Sequence, residues 1–559
     1  MTFPFRYLWW LITSARRAFR RPPDVVVLVL EGELPPLPDA PRPLWQRFTS
    51  RPRLSVKDLG ERLDAIGRET RIKGVVLHLR PLGTPMAGIE DLRERIAGLR
   101  SAGKRVVAWA PFYTTATYYL ACACDEILIM PTGMVMPLGI ARTGMFLADG
   151  LARIGIRADF VQVSPYKTAA DQLTRSSMSD EFRQQLTWLL EGQHQELVGA
   201  IGDGRVLSKE AAIELIDRSP YLDEAALAGH VVDGILSEEA LGAHIGAYMT
   251  QPVSLGTWDQ AQRAMRKAPP GLGRGRYVAL LRIEGTIVDG HSGRLPVTPP
   301  VDIPILGDDR AGDLTVVQAA RQVAADRRAA AAVLYVNSRG GSSTASEAMR
   351  QALAGVASRK PLVVVMGPVA GSGGYLVATP GSWIVARPST LTGSIGVLTG
   401  KIVSGPLWMK LAVNRETIAF GRHVTLESDD HPYSTDERQI LTDAVNGIYV
   451  SFLETVARAR RITTDELRPV AGGKVWTGRQ ALERNLVDEL GGLEAGLNKA
   501  RTLAGLEANA ALRELRPPKR AAAPPSGAVG GGWLGYLLQG LSILSHAPAL
   551  TIMEYLPPG

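Results

Sequence analysis

One serine in the sequence has the setting of a nucleophile. Ser372 lies between glycines in GPVAGSGGYL, after the apolar run PLVVVM, which predicts a strand, and before YLVAT, which can begin a helix. A serine at such a strand-to-helix turn presents an exposed hydroxyl, and the N–H of the next residue, Gly373, can help to stabilise an oxyanion. Glycine and serine are also common in ordinary turns, so this stretch needs a second feature to support it.

A pair of glycines supplies that second feature. The stretch NSRGGSSTASEAM places Gly340 and Gly341 between the predicted strand AAVLYV and a predicted helix. Free N–H groups at such a junction suit an oxyanion. The serine turn and the glycine pair both follow strands, and α/β sheets bind ligands at the carboxyl ends of their strands. The sequence therefore predicts two halves of one site.

The base that would accept the serine proton has two kinds of candidate. A histidine base with an acidic partner could come from GRHVTLESDDHPYS, which contains His423, Asp429, Asp430 and His431, although this polar stretch predicts an exposed loop. A lysine base could be Lys167 in ADFVQVSPYKTAADQL. A lysine must be neutral to act, so it needs a desolvating setting that lowers its pKa from about 10.4. Spacing alone does not decide between them.

The chain contains one domain twice. AAVLYVNSRGGSSTASEAMR resembles GVVLHLRPLGTPMAGIEDLR, and GSGGYLVATPGSWIVARP resembles TTATYYLACACDEILIMP, each 257 positions earlier. Further matches keep almost the same offset. We therefore predict two copies, at 24–250 and 276–505.

The two copies differ in their reactive residues. At the common offset Ser372 of the second copy corresponds to Thr115, and the glycines Gly373 and Gly341 are also replaced in the first copy. The first copy has Lys167, whose place in the second copy is taken by His423. The nucleophile and the lysine are thus predicted in different copies.

Short β-rich runs alternate with helical patterns in each copy. The runs AAVLYV and PLVVVM are continuously apolar, as in a sheet that is covered on both faces. The stretches TASEAMRQALAGVASR and SDEFRQQLTWLLEGQHQELVGAI predict helices. This alternation predicts an α/β fold with largely parallel sheets.

Four further segments flank or connect the copies. Residues 251–275 and 506–532 predict linkers, the second rich in Pro, Gly and Ala. Residues 1–23 hold five arginines, no acidic residue and an apolar stretch too short to span a bilayer, which favours a helix lying in the membrane interface. Residues 533–559 are apolar but interrupted, which favours docking on the body or on a neighbouring subunit.

Charge and cysteine content exclude other classes of function. The net charge is +8, of which the first 23 residues supply +5, so no basic stripe for nucleic acid remains. The two cysteines, Cys122 and Cys124, lie two apart on a predicted helix and do not face each other. We predict buried free thiols, with neither a disulfide nor a metal site.

The motifs together resemble the protease IV–like family of signal peptide peptidase A, in its long, duplicated type. The most specific stretches are VNSRGGSSTASEAMR, GSGGYLVATPGSWIVARPSTLTGSIGVL, YKTAADQL and VWTGRQALERNLVDELGG, and the similarity spans about 24–505. The resemblance implies a ClpP/crotonase-like fold in each copy. It also implies a homotetrameric serine endopeptidase, associated with the bacterial inner membrane, that degrades short hydrophobic peptides such as cleaved signal peptides.

The resemblance implies roles for five residues and no metal or cofactor. Ser372 is the nucleophile and Lys167 the general base of a Ser/Lys dyad. Ser394, in TGSIGV, matches the serine that orients the lysine, and the N–H groups of Gly341 and Gly373 form the oxyanion hole.

The chain departs from the family pattern in three places. Arg339 stands where the family commonly has proline, YKTAAD replaces the usual lysine motif, and the interfacial stretch 3–21 stands where the family usually has a transmembrane helix. Other hypotheses are kept beside the resemblance. One alternative is an acyl-CoA enzyme of the crotonase type, which would use the glycine N–H groups and need neither Ser372 nor Lys167. Another is an inactive membrane scaffold.

Overall fold

The computed structural model describes residues 7, 9–10, 14, 17, 20–39, 53–249, 252–265, 275–293, 309–515 and 550–552. The predicted segments 1–23, 506–532 and 533–559 lie mostly, and the segment 251–275 partly, outside these described residues. Among the helices that the structure describes, none is long and apolar enough to cross a membrane.

Strands and helices alternate along much of the chain, as the sequence patterns predict. In chain order, the elements up to the end of the first predicted copy are β1 (Val25–Gly32), α1 (Val56–Arg68), β2 (Gly74–Leu82), α2 (Met86–Ser101), β3 (Arg105–Thr114), α3 (Thr115–Ala121), β4 (Glu126–Met136), α4 (Ala148–Ile154), β5 (Arg157–Gln162), α5 (Asp171–Thr174), α6 (Asp180–Arg205), α7 (Lys209–Asp217), β6 (Tyr221–Leu222), α8 (Asp223–Ala228), β7 (Gly234–Ile235) and α9 (Leu241–Tyr248). The elements that follow are β8 (Leu255–Thr257), α10 (Trp258–Ala264), β9 (Tyr277–Glu284), β10 (Thr286–Val288), β11 (Arg310–Gly312), α11 (Asp313–Ala325), β12 (Ala329–Ser338), β13 (Gly340–Ser342), α12 (Ser343–Ala357), β14 (Leu362–Gly371), α13 (Gly373–Leu376), β15 (Trp383–Ala386), β16 (Leu391–Gly393), β17 (Leu398–Val403), α14 (Gly405–Lys410), α15 (Thr435–Arg460), α16 (Thr464–Leu467), β18 (Val475–Thr477), α17 (Gly478–Glu483), β19 (Glu489–Leu490), α18 (Leu493–Leu503), β20 (Leu512–Glu514) and β21 (Leu550–Ile552).

The chain forms two compact units, and their boundaries differ from those of the sequence repeat. The first unit contains residues 1–141 and 193–275, and the second contains 142–192 and 276–557. Residues 142–192, which the repeat assigns to the first copy, therefore pack with the second half of the chain. This segment carries Lys167.

The two units contain sheets of the same strand order. In the first unit the order is β6-β4-β3-β2-β1-β8, and in the second it is β18-β16-β14-β12-β9-β20. The neighbours among β1 to β4 run parallel, as do β9, β12, β14 and β15. The predicted α/β fold with largely parallel sheets, present twice, is confirmed.

Apolar continuity explains why these strands lie in the centre of their sheets. In β12, AAAAVLYVNS, nine of the ten residues are buried, because helices such as α11 and α12 cover the sheet. The first unit has its own core, which includes Leu28, Leu77 and Ile129. The two cysteines belong to that core as buried free thiols.

A further sheet lies in the second unit. Its order is β11-β10-β13-β21-β17-β5. Strand β5, from segment 142–192, runs antiparallel to β17 along its whole length, from Gln162 opposite Leu398 to Arg157 opposite Val403. This pairing holds the chain that follows β5 beside the end of the main sheet.

Candidate active site

Ser372 lies at the turn between β14 and helix α13. It is the residue that precedes the helix, and its backbone has φ 56° and ψ −118°, a conformation that costs a non-glycine residue about 1–3 kcal/mol. Its N–H donates to the carbonyl of Gly393 at 2.8 Å. The strand-to-helix turn predicted from the sequence is confirmed, but the predicted exposure of the hydroxyl is wrong. Ser372 is fully buried, because neighbouring groups, Lys167 among them, pack against it.

Lys167 reaches this serine from the loop that follows β5. Its Nζ lies 2.8 Å from Ser372 Oγ. The same nitrogen lies 3.0 Å from Ser394 Oγ and 3.1 Å from the Ser394 carbonyl oxygen. The side chain of Lys167 is only 1% exposed. The structure thus brings together three of the residues that the sequence singled out, across 205 positions between the lysine and the serine.

Burial controls the charge of this lysine. The pKa of Lys167 is lowered well below its ordinary value because burial disfavours the ammonium form. Among the described residues no carboxylate pairs with Lys167 to counter that effect. A larger fraction of the amine is therefore neutral near pH 7, and only a neutral amine can accept a proton from a serine hydroxyl.

Ser394 is the second serine whose hydroxyl contacts the Lys167 amine. Like Ser372, it has a positive φ, 52°, and it is 2% exposed. Its N–H donates to the carbonyl of Lys474 at 2.7 Å, which fixes the backbone on which the hydroxyl is carried. Strained backbone at two serines that both contact one buried amine is typical of a functional site.

The loop that carries Lys167 is anchored close to its reactive residue. Ser164 Oγ donates to the carbonyl of Gly472. Gly473 has φ +90°, and a Cβ on it would lie 2.7 Å from the Cα of Lys167. Glycine at this position therefore lets the two backbones approach closely enough for the lysine to reach the serine.

Helix α6 supplies a second anchor. The Gln185 side chain accepts from the N–H of Val475 at 2.9 Å and donates to Thr168 Oγ1 at 3.2 Å, next to the lysine. Trp188, one turn further, stacks on Trp476 with ring centroids 5.0 Å apart. Sequence reasoning missed Gln185 and Gly473. The stretch SDEFRQQLTWLLEGQHQELVGAI predicts a helix, but nothing in it distinguishes Gln185 from its neighbour Gln184.

The two predicted oxyanion glycines lie on two different elements of the second unit, helix α13 and strand β13. The N–H of Gly373 opens helix α13 and has no acceptor among the described residues. Gly341 lies on β13, where it pairs with Ile287 of β10. The first turn of α13 is held close to the end of β12, two residues before β13 begins, since a Cβ on Gly374 would lie 2.5 Å from the carbonyl oxygen of Ser338.

The histidines considered as alternative bases lie elsewhere. His431 Nδ1 contacts the carbonyl of Pro432, and His423 Nε2 lies 3.7 Å from Asp436. The hydrogen-bond partners of Ser372 Oγ in the described structure are Lys167 and the Gly396 carbonyl. The geometry therefore does not support a Ser–His–Asp arrangement.

A buried serine beside a buried lysine, on a largely parallel α/β sheet, is an arrangement typical of a hydrolase. Similarity to known proteins identifies the class of hydrolase as a serine peptidase. The model of "Peptidase family S49" matches residues 98–245 and 354–507, more than half of the chain. The chain belongs to peptidase family S49, in the long, duplicated form of signal peptide peptidase A. The predicted family is confirmed, and the two matched regions confirm that its domain is present twice.

Individual relatives are similar over most of the chain. "Serine protease SPPA, chloroplastic" from Arabidopsis thaliana is 30% identical over 475 residues, 83% of this chain and 68% of the relative. "Protease 4" from Salmonella typhi is 30% identical over 455 residues, 78% of this chain and 70% of the relative. "Protease 4" from Haemophilus influenzae is 26% identical over 460 residues, 80% of this chain and 72% of the relative.

Ser394 is expected to act by positioning Lys167. Replacing Ser394 with alanine removes one acceptor of the amine, and we expect kcat for peptide cleavage to fall about 10- to 100-fold with little change in KM. Because an acceptor favours the charged amine, its loss lowers the pKa of Lys167 further, so the acid limb of the kcat profile should move to lower pH.

The matched control for this change is Thr392→Val. Thr392 is also fully buried, but its hydroxyl donates to the Ala370 carbonyl at 2.7 Å and is not an acceptor of the lysine amine. We expect it to lower the melting temperature without moving the acid limb. An identical pH profile in Ser394→Ala and the parent protein would contradict the positioning role.

Proposed function

We propose that this serine peptidase is a membrane-associated endopeptidase with a Ser/Lys dyad, which cleaves short hydrophobic peptides such as released signal peptides. The observation that carries the proposal is the 2.8 Å separation of Lys167 Nζ and Ser372 Oγ, in a fully buried setting that lowers the lysine pKa. That distance lies within the hydrogen-bond reach that proton transfer requires.

The proposed mechanism is acyl transfer through the serine. Lys167 accepts the hydroxyl proton while Ser372 Oγ attacks the carbonyl carbon of the scissile bond. The N–H groups of Gly373 and Gly341 stabilise the negative charge on the carbonyl oxygen. The protonated lysine then donates its proton to the leaving amine as the scissile C–N bond breaks. A water molecule gives a proton to the neutral lysine and attacks the acyl-enzyme carbonyl, and the lysine returns that proton to Ser372 Oγ as the bond between the acyl carbon and Oγ breaks.

The proposal also specifies the class of substrate and the location of the protein. A relative from Enterococcus faecium, 30% identical over 32% of this chain and 52% of its own length, is named "Putative signal peptide peptidase SppA", which supports signal peptides as substrates. The arginines of residues 1–23 beside Trp9 and Trp10 support binding to a membrane surface. We also propose that the protein acts at the bacterial inner membrane and that it assembles as a homotetramer.

Covalent labelling tests the nucleophile directly. A serine-directed acylating or phosphonylating probe should modify the chain at one residue, and peptide mapping by mass spectrometry should find that residue to be Ser372. The protein preincubated with a short apolar peptide should label more slowly, because substrate and probe compete. Labelling at another serine with Ser372 unmodified, or no labelling at a protein concentration that cleaves peptide, would overturn the proposal.

A further inference from the structure

The strand that carries one of the predicted oxyanion glycines packs tightly against its neighbour. Strand β13, Gly340–Ser342, lies beside β10, where Gly341 is paired with Ile287. The φ of Gly341 is +152°, and a Cβ on it would clash with the Ile287 carbonyl oxygen. Only glycine fits this position, so the residue has no side chain of its own that could hold its backbone in place.

Ser338 ties the beginning of β13 to the beginning of β10. Its hydroxyl donates to the carbonyl of Gly285, the residue that precedes β10, at 2.6 Å. The same hydroxyl accepts from the N–H of Gly340 at 3.1 Å. The residue before Gly341 is therefore bonded, through one side chain, to the neighbouring strand.

Asp289 ties the other end of β13. It follows β10 directly, and its carboxylate accepts from Ser342 Oγ at 2.6 Å and from Thr344 Oγ1 at 2.9 Å. Ser342 is buried, and its Oγ also accepts from the N–H of Ala345 in the first turn of α12. Asp289 therefore joins the end of β10 to the residue after Gly341 and to the helix that follows.

The first copy of the domain lacks all four of these polar side chains. At the offsets of the repeat, the second-copy and first-copy residues are Asp289 and Pro36, Ser338 and Pro81, Ser342 and Pro85, and Thr344 and Ala87. The position of Gly341 is taken by Thr84, whose own hydroxyl accepts from the N–H of Leu34 at 3.0 Å. The bridges thus occur in the copy that has the glycine and the nucleophile.

A glycine donor in an oxyanion hole needs such support. Its backbone has the widest range of conformations of any residue, and its N–H stabilises the transition state only when it points to where the negative charge develops. A misplacement of about 1 Å can lower a rate about 10²-fold. Hydrogen bonds to an ionised carboxylate are stronger than those between neutral groups, so Asp289 is well suited to fix the end of β13.

We propose that Asp289 is a positioning residue of the peptidase, which holds the Gly341 N–H toward the oxyanion through Ser342 and Thr344. It acts through strand β13 and not by contact with the reacting atoms. The proposal rests on the proposed function, in which the Gly341 N–H is one of the two oxyanion donors, and it adds a residue outside the motifs around Ser372.

Asp289→Ala, tested with a peptide aldehyde, separates this role from a structural one. Ser372 Oγ adds to the aldehyde carbon while Lys167 takes the hydroxyl proton, and the aldehyde oxygen becomes the oxyanion. We expect the inhibition constant of the aldehyde to rise about 10- to 100-fold and kcat to fall by a similar factor. KM and the Kd of the matching peptide alcohol, which forms no oxyanion, should stay within about twofold of the parent values.

A conservative variant and a matched control accompany this change. Asp289→Asn should recover most of the loss, because the amide oxygen can accept from Ser342 and the amide nitrogen can donate to Thr344. The control is Asp326→Ala, which removes a carboxylate that also accepts two hydrogen bonds, from the Tyr277 hydroxyl and from the Arg328 N–H. It should leave the inhibition constant of the aldehyde within about twofold of the parent value.

Hydrogen exchange supplies a readout that does not depend on catalysis. Asp289 is exposed, so its replacement by alanine opens no cavity in the core and the variant should fold. The amides of residues 340–342 should exchange about tenfold faster in Asp289→Ala than in the parent protein, and at the parent rate in Asp326→Ala.

The positioning role and the peptidase proposal fail in different ways. Unchanged aldehyde inhibition in Asp289→Ala, or an equal weakening of aldehyde and alcohol, would overturn the positioning role, and cleavage that still depends on Ser372 would leave the peptidase proposal intact. If the parent protein neither cleaves peptide nor binds the aldehyde more tightly than the alcohol, the peptidase proposal falls and the positioning role falls with it.

Discussion

Alanine in place of Ser372 is expected to reduce kcat for peptide cleavage by about 10⁴-fold or more, to the level that binding and the oxyanion hole alone provide. Among the described residues, the only other hydroxyl within hydrogen-bond distance of Lys167 Nζ is that of Ser394. Ser394 is held on a separate turn with a positive φ, so it is not expected to replace Ser372 as the nucleophile. The measurement is single-turnover cleavage of an apolar peptide by folded protein of matched melting temperature.

Glycine at the same position separates catalysis from folding. Because Ser372 has a φ of 56°, a glycine should relieve strain, and Ser372→Gly should unfold with a free energy about 1 kcal/mol higher than Ser372→Ala while being equally inactive. The control Ser382→Ala removes a hydroxyl that donates to the Leu362 carbonyl and should keep kcat within about twofold of the parent value. Residual kcat above one tenth of the parent value in Ser372→Ala would contradict the nucleophile assignment.

Methionine in place of Lys167 is expected to lower kcat by about 10³- to 10⁴-fold, since the side chain keeps its volume and loses the base. Arginine should be equally inactive at every accessible pH, because a guanidinium stays protonated. The parent kcat/KM should rise with pH through the lowered pKa of Lys167 and stay high above it, because the neutral amine is the active form. An acid limb that persists unchanged in Lys167→Met would assign the titration to another group.

The burial of Lys167 also makes the free energy of unfolding depend on pH in a predictable direction. In the window between the lowered folded pKa and the ordinary value near 10.5, the unfolded chain binds a proton at Lys167 that the folded chain does not. The parent stability should therefore rise with pH relative to Lys167→Met across that window, and the difference should level off above it.

Lys401 is the matched control for the lysine. It is also fully buried, with a pKa lowered by burial, and its Nζ donates to the Leu426 carbonyl at 2.9 Å and lies over the ring of Tyr433. Lys401→Met should lower the free energy of unfolding, because a buried carbonyl loses its partner, but kcat should stay within about threefold of the parent value. Equal losses of kcat in both variants would mean that Lys167 acts through stability.

Local pattern was enough to predict the elements around the serine. The run PLVVVM forms the strand β14, NSRGGSSTASEAM forms the end of β12, β13 and the start of α12, and the glycine-flanked serine begins a helix. These predictions succeeded because apolar continuity and turn residues act over a few positions. The repeat at 257 positions was visible for the same reason, since each copy keeps the pattern of one sheet.

Local pattern was not enough for the contacts that assemble the site. The sequence predicted a lysine in one copy and a serine in the other, but the lysine segment packs within the second unit through the pairing of β5 with β17. The close approach of Gly473 to Lys167 and the hydrogen bond that the Val475 N–H donates to Gln185 join residues 290 or more positions apart. No periodicity specifies such partners.

By itself, then, the sequence determined the duplication, the α/β class, the family and the identities of Ser372, Lys167 and Ser394 as residues of interest. Only the tertiary structure decided that the amine lies within hydrogen-bond reach of the hydroxyl and that both groups are buried. The physical reason is that a pKa and a reactive distance depend on desolvation and on main-chain pairing between remote segments, and both exist only once the chain is packed.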